Sequence, residues 1–266
     1  MKRVTVPGIL RHNNDKPLVM ITAYDTPTAR IADNAGVDMI LVGDSVGVAV
    51  LGFPDTLSVT IDHMIHHTSA VARGVRRSLI IGDLPFGSSQ IGGETCLKDA
   101  VALMRAGAHA VKIEGSQQVE LINNLVGNGI PVMGHIGLTP QSLHQFGGFK
   151  VQGRSEQDRD ALVTAAQKLE NAGVFSIVIE CVPPQTARRI TEAVSIPTIG
   201  IGAGSHVNGQ VLVLHDILTL NPDFKPRFIK QYCNLSALIG DAIKAYCDDV
   251  RNHHFPSAEH TYEDLE

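Results

Sequence analysis

"DMILVGDSVGV", residues 38–48, runs through five apolar or small residues from Met39 to Gly43 and then stops on Asp44 and Ser45. A strand with one face in water alternates apolar and polar residues, whereas an unbroken apolar run suits a parallel strand covered on both faces. The carboxylate that ends the run is costly to desolvate unless something pairs with it. Fold and function both follow from finding the same pattern elsewhere.

Seven further runs rich in Val and Ile share it: "LVMITAYD" (18–25), "SLIIGDLPF" (78–86), "AVKIEG" (110–115), "PVMGHIG" (131–137), "FSIVIECV" (175–182), "PTIGIGAG" (197–204) and "VLVLHDIL" (211–218). Helical patterns lie between most of them, at 26–35, 60–73, 93–106, 116–127, 156–172 and 185–194. Three helices end in "IADNAGV", "LMRAGAH" and "KLENAGV", with glycine where a left-handed residue closes a helix. Eight strand candidates alternating with helices predict an α/β protein with a (β/α)8 TIM barrel. A doubly wound open sheet would carry a glycine-rich fingerprint after its first strand, and "TAYDTPT" is not one. No linker splits the chain, so 1–266 reads as a single domain, with 219–252 as a C-terminal helical extension. Residues 253–266 read as a polar, flexible tail in which His253 and His254 are solvated.

The chain carries a formal charge of -5 and no Lys/Arg block, which argues against a nucleic-acid partner. The start is basic but has no apolar signal core, and no later run is long enough to span a bilayer, so the reading is a cytoplasmic protein without membrane contact. Cys96, Cys181, Cys233 and Cys247 show no CxxC spacing, which predicts reduced thiols and neither a zinc knuckle nor a disulfide framework.

Barrel active sites lie at the carboxyl ends of the strands. The polar residues there are Asp25, Asp44 with Ser45, Asp83, Lys112 with Glu114, His135, Glu180 and Asp216. Asp25 and Asp216 read as capping residues of the following helices. Asp44 and Asp83 each follow a glycine, so that cap and ligand readings both stand. In "VKIEG", Lys112 and Glu114 are two apart and share a strand face, as an isolated buried ion pair or as part of a functional network. Asp44, Asp83 and Glu114 together offer hard oxygen donors suited to Mg2+. Glu180 closes "FSIVIE", where desolvation favours a carboxylate as general base; an Arg-paired structural role is the alternative. His135 reads as a core histidine or as a donor to an anionic substrate. "GIGAG" (200–204) is a tight turn or a phosphate cradle, and 137–154 is long enough to act as a lid.

The stretches "LVGDSVG", "GDLPFGS", "MRAGAHAVKIEG", "GHIGLTPQSLHQFGGFKVQGR", "IVIECVP" and "IPTIGIGAG", in this order over residues 15 to 218, resemble the ketopantoate hydroxymethyltransferase family, and "KPRFIKQY" continues the likeness. The resemblance implies a barrel of the phosphoenolpyruvate/pyruvate type, assembled as a homodecamer. It implies transfer of a hydroxymethyl group from 5,10-methylenetetrahydrofolate to 3-methyl-2-oxobutanoate, giving 2-dehydropantoate for pantothenate and coenzyme A synthesis. Asp44 and Asp83 then match Mg2+ ligands, with Glu114 as the third metal-associated carboxylate. Asp44, Ser45, Asp83, Lys112 and His135 match substrate-facing positions, and Glu180 matches the catalytic proton acceptor. The sequence departs from the family's usual residues at Ser58, His66 and Ser89 and in "SHVNGQV" (205–211). A Mg2+-dependent lyase or mutase of the same barrel superfamily is the rival reading; such lyases typically carry a cysteine in a "KCGH"-like loop, which this chain lacks.

Overall fold

The computed structural model describes residues 3–12 and 16–262; the remainder of the basic start, and 263–266 of the expected tail, lie outside the described residues. Eight parallel strands close into a barrel in chain order: β1 (Leu18–Thr22), β2 (Met39–Val42), β3 (Leu79–Asp83), β4 (Ala110–Glu114), β5 (Val132–Gly137), β6 (Ser176–Glu180), β7 (Thr198–Ile201) and β8 (Gly209–Leu212). Parallel neighbours pair throughout, and β8 returns to β1 through Val19↔Gln210 and Met20↔Val211.

The helices fall where the apolar period changes. They span Thr26–Ala35, Ile61–Gly74, Gly93–Ala106, Val119–Gly127, Glu156–Asn171 and Pro184–Glu192. Gly36, Gly107 and Gly173 take positive φ after three of these helices, as a left-handed closing residue requires. Asp25 caps the first by accepting the Thr28 N–H at 2.8 Å.

One expected strand is corrected. The run "VLVLHDIL" pairs only as far as Leu212, and Leu214–Ile217 turns into a short helix. Asp216 therefore lies within that helix and is neither a strand-end residue nor a cap; burial pushes its carboxyl up to about 6. A short apolar run does not distinguish a strand from a buried helical turn. The short helix Val6–Leu10 also went unforeseen, because its first turn is built on Pro7 and Thr5 and not on an apolar period.

Strand alternation sorts the core into two layers. Val111 and Ile113 of β4, with Ile40, Ile80, Val132 and Ile177, meet the helices in the outer layer. Their neighbours Met39, Leu41, Leu79, Ile81, Ala110 and Met133 fill the barrel interior, where Ile9 of the first helix joins them. Continuing each interior row toward the strand ends gives Asp83 after Leu79 and Ile81, Lys112 and Glu114 after Ala110, and His135 after Met133. The same face is apolar deep in the barrel and charged at its mouth.

The chain packs as two compact units, Met1–Leu214 and His215–Glu266. The second holds a helix at Leu235–Arg251, capped by Asn234 through the Ala237 N–H, and Phe255 sits against the rings of Tyr246 and His260. His253 and His254 are exposed. No described helix is long and apolar enough to cross a membrane.

Asp33 ties the helix Thr26–Ala35 to the approach to β3. It accepts the N–H groups of Arg76 (2.9 Å), Arg77 (3.2 Å) and Ser78 (2.7 Å) and the Ser78 hydroxyl (2.7 Å). Burial opposes its charge, but these donors outweigh burial and hold the carboxyl below its ordinary 3.8. Asp33→Asn is expected to lose roughly 2 kcal/mol near pH 6, the scale of hydrogen bonds to a charged acceptor. Because the folded-state pKa is depressed, that contribution is present above pH 3.8 and disappears as pH falls through the folded value. Urea unfolding of both proteins at pH 6 and at pH 3 checks this; a gap that does not narrow at the lower pH contradicts it.

Candidate active site

The register of the barrel joins the charged residues edge to edge. Asp83 pairs with Lys112, and Glu114 pairs with His135. Lys112 Nζ lies 2.9 Å from Asp83 Oδ1 and 3.4 Å from Glu114 Oε1. His135 Nδ1 is 3.3 Å from the same Glu114 oxygen, and its Nε2 is 3.2 Å from Glu180 Oε2. Asp44, just past β2, donates its backbone N–H to Asp83 Oδ2 at 3.2 Å. Ser45 follows, with its hydroxyl 2.8 Å from that of Tyr24. Asp44, Ser45, Asp83, Lys112, Glu114, His135 and Glu180 all line one cavity of about 110 Å³. All the rim residues singled out in the sequence are brought together there except Asp25 and Asp216.

The charges are buried and out of balance. Lys112, Asp83, Asp44, Glu114 and His135 each expose 6% or less of their surface. Burial pushes the Asp44 carboxyl well up, and the negative charges of Asp83 and Glu114 push it further. Asp83 is also raised, by burial first, although Lys112 pulls it down. Glu114 behaves differently: burial opposes its charge, but Lys112, His135 and the Gln141 N–H lower it to about 2. Burial and Lys112 disfavour a charged His135, yet Glu114 and Glu180 outweigh them and raise it to about 9. With His135 protonated, each ring nitrogen faces a carboxylate oxygen at ion-pair distance. Four carboxylates then face two cations, an excess of two negative charges.

That excess is what a divalent cation would offset. Asp44 and Asp83, raised by burial among uncompensated neighbours, are the carboxylates that could hold it. Glu114 is already engaged on both oxygens by Lys112, His135 and Gln141, and fits an outer position. Among the described residues no group of three or more His, Cys, Asp or Glu side chains is arranged as a metal site. Two carboxylates offering oxygen donors alone do not fit structural zinc; they suit a hard ion that takes its remaining positions from water or substrate oxygens.

Three features of the site escaped the sequence reading. Gln141, buried in the loop after β5, donates its N–H to Glu114 Oε2 (3.0 Å) and its side-chain amide to Asp44 Oδ2 and Leu84 O (both 2.9 Å). Its loop holds the short turns Pro140–Ser142 and Leu143–Phe146, and nothing periodic in "GLTPQSLHQF" marks one polar side chain as buried. Gly137 has φ +93°, and a Cβ there would lie 2.2 Å from the Glu180 carbonyl oxygen, so only glycine lets β5 and β6 close at this point. Cys181 takes φ +48°, held by its N–H to Ile201 O and its carbonyl accepting from Gln152, both at 2.9 Å. Burial, and then Glu180 beside it, push the Cys181 thiol up to about 12, which leaves it protonated and unsuited to nucleophilic attack.

The sequence profile of the family described as ketopantoate hydroxymethyltransferase matches residues 3–258. The chain belongs to this family. It is 52% identical to the 3-methyl-2-oxobutanoate hydroxymethyltransferase of Thermosipho africanus, over 98% of this chain and 99% of that protein. The enzyme of the same name from Ignicoccus hospitalis is 50% identical, over 96% and 98%. As a ketopantoate hydroxymethyltransferase family member the chain is an enzyme, a one-carbon transferase. Solved structures show the same fold at low identity. A phosphoenolpyruvate phosphomutase from Streptomyces platensis subsp. rosaceus superposes with a TM-score of 0.63 at 14% identity, covering 93% of this chain and 87% of that one. A 2,3-dimethylmalate lyase of the PEP mutase/isocitrate lyase superfamily gives 0.59 at 16%, covering 98% and 93%.

Gln141→Ala removes the donor to Asp44 while sparing the N–H to Glu114. Turnover is expected to fall about tenfold to a hundredfold, the scale of losing a hydrogen-bond partner that orients a site carboxylate, with little change in melting temperature. Steady-state kinetics beside a thermal melt checks this, and unchanged turnover would show that Asp44 needs no such support.

Proposed function

We propose that the chain transfers a hydroxymethyl group from 5,10-methylenetetrahydrofolate to 3-methyl-2-oxobutanoate, giving 2-dehydropantoate for pantothenate and coenzyme A synthesis. The observation that carries this reading is the unbroken chain of contacts Asp83–Lys112–Glu114–His135–Glu180 at the edge of a small cavity. In this reading Lys112 is the anion-binding charge and Glu180 the base, both lining the same space. At about 110 Å³ the cavity has the volume of only a few water molecules. That suits a short oxo acid and excludes a folate.

Asp44 and Asp83, with Glu114 behind them, would hold the cation, which we read as Mg2+; a phosphonopyruvate hydrolase of the same fold is solved in complex with oxalate and Mg++. When bound, it would supply Lewis-acid stabilisation of negative charge on the oxo-acid oxygens. Lys112 faces the same oxygens, and Ser45 offers a hydroxyl at the rim. Glu180 takes the proton from C3, and the C–H electron pair moves into a C2–C3 double bond as negative charge passes to the ketone oxygen. His135, with Nε2 3.2 Å from Glu180 Oε2, sets a positive charge beside Glu180. Water adds to the methylene carbon of the donor, both of its carbon–nitrogen bonds break as the two nitrogens take the two protons of the water, and C3 attacks the resulting formaldehyde-level carbon, whose alkoxide oxygen takes the proton held by Glu180. Cytoplasmic location and homodecameric assembly belong to the same reading.

Asp83→Asn tests the cation site. It should weaken Mg2+ binding, measured by calorimetry, and abolish turnover, since a neutral amide is a poor partner for a dication; wild-type affinity in the variant would remove Asp83 from the site.

Glu180→Gln tests the chemistry. It keeps the shape of the base and should leave binding of 3-methyl-2-oxobutanoate intact while lowering C3 proton exchange and turnover by about a hundredfold to ten-thousandfold, the usual scale of general-base catalysis. Exchange in heavy water with Mg2+, followed by NMR, decides the matter. A variant that exchanges C3 as fast as the wild type is incompatible with Glu180 as base.

A further inference from the structure

A second cavity, about 680 Å³, adjoins the first at the mouth of the barrel. Its walls come from the turn after β4, the loop after β5, the helix Glu156–Asn171 and the segment after β3. Glu114 lines both cavities, while Pro140 lines the small one and Gln141 the large one. The Pro140–Gln141 step is therefore part of the partition between them.

The lining has an unusual chemistry. It contains no lysine or arginine among the described residues, so it is poorly matched to a phosphate ester or another polyanion. It is instead rich in side-chain amides, including Gln90, Gln117, Gln145 and Gln152, each offering a donor and an acceptor without net charge. Phe86, 46% exposed, and the half-buried Phe146 add aromatic surface. Amides around aromatic faces suit a flat heterocycle with lactam and amidine edges, and the volume lies in the range of pockets for molecules of that size.

We propose that this cavity binds the one-carbon donor, taking the fused heterocycle and adjoining aryl ring of a reduced folate among the glutamines and phenylalanines. The donor then meets the oxo acid across the Glu114–Gln141 partition. The inference rests on the donor assignment made above and adds its location. Because the walls carry no lysine or arginine, the carboxylates of the folate tail stay in solvent.

The chain has no tryptophan, so Phe146→Trp installs a single fluorophore in the cavity, and Phe228→Trp, in the C-terminal unit, serves as control. Ala165→Phe, on the helical wall, adds bulk inside this cavity at a residue that does not line the oxo-acid cavity. Tetrahydrofolate is the probe, titrated with Mg2+ present. The expected result is a saturable change in emission for Phe146→Trp but not for the control. Calorimetry should show a loss of tetrahydrofolate affinity of about tenfold or more in Ala165→Phe, in line with the effect of small volume changes in a fitted pocket, with affinity for 3-methyl-2-oxobutanoate kept. If the wild type binds tetrahydrofolate but the emission of Phe146→Trp stays flat and Ala165→Phe binds as well as wild type, the location is wrong and the donor assignment stands. If the wild type does not bind tetrahydrofolate, the donor assignment falls and the location with it.

Discussion

The site is organised around one buried ammonium. Lys112 sits within 3.4 Å of both Asp83 and Glu114, with Asp44 close enough to share its field. Desolvation alone would drive the proton off a buried lysine; its three acidic neighbours more than reverse this and keep it charged. One cation cannot neutralise three carboxylates, however, and the shortfall is distributed unevenly. Glu114 is satisfied by Lys112, His135 and Gln141, while Asp44 and Asp83 are left with raised proton affinity. The arrangement is a poor one for stability alone, since a buried ionic network with residual charge costs more than an apolar core would. It is a good one for receiving a cation and an anionic substrate together.

The barrel makes that arrangement possible through strand alternation. Each inward row begins with Met, Leu, Ile or Ala, which fill the interior, and ends in a charged residue at the mouth. Burial of the lower layers fixes register, because a slip of one residue would turn the apolar set outward. Register in turn sets Asp83 beside Lys112 and Glu114 beside His135. The packing of apolar residues deep in the barrel thus positions the charges above them. Gly137 contributes at one point, allowing the close contact with the Glu180 backbone that a side chain would prevent.

The fold by itself does not choose the reaction. Mutases, hydrolases and lyases at 12% to 16% identity share it. The chemistry of this chain is set locally: Glu180 beside His135 at the cavity, a neighbouring thiol at Cys181 that burial keeps protonated, and a glutamine-lined cavity next door. Chemistry of this kind is grafted onto strand ends and loops, which vary while the barrel persists.

The sequence by itself determined the barrel, because its signals are local and repeated. Apolar runs broken by helical periods located all eight strands to within a few residues, failing only where "VLVLHDIL" turned helical after Leu212. The two-residue spacing of Lys112 and Glu114 likewise put both on one face before any contact was known. Tertiary structure alone decided which charges meet. His135 and Glu180 are distant in the sequence and touch only because β5 and β6 are neighbours. Gln141 is 97 residues from Asp44, on a loop whose sequence carries no period to show which side chain turns inward. Local chemistry is written in short-range pattern, whereas the pairing of distant polar groups depends on how the barrel closes, and no single stretch of the chain contains that information.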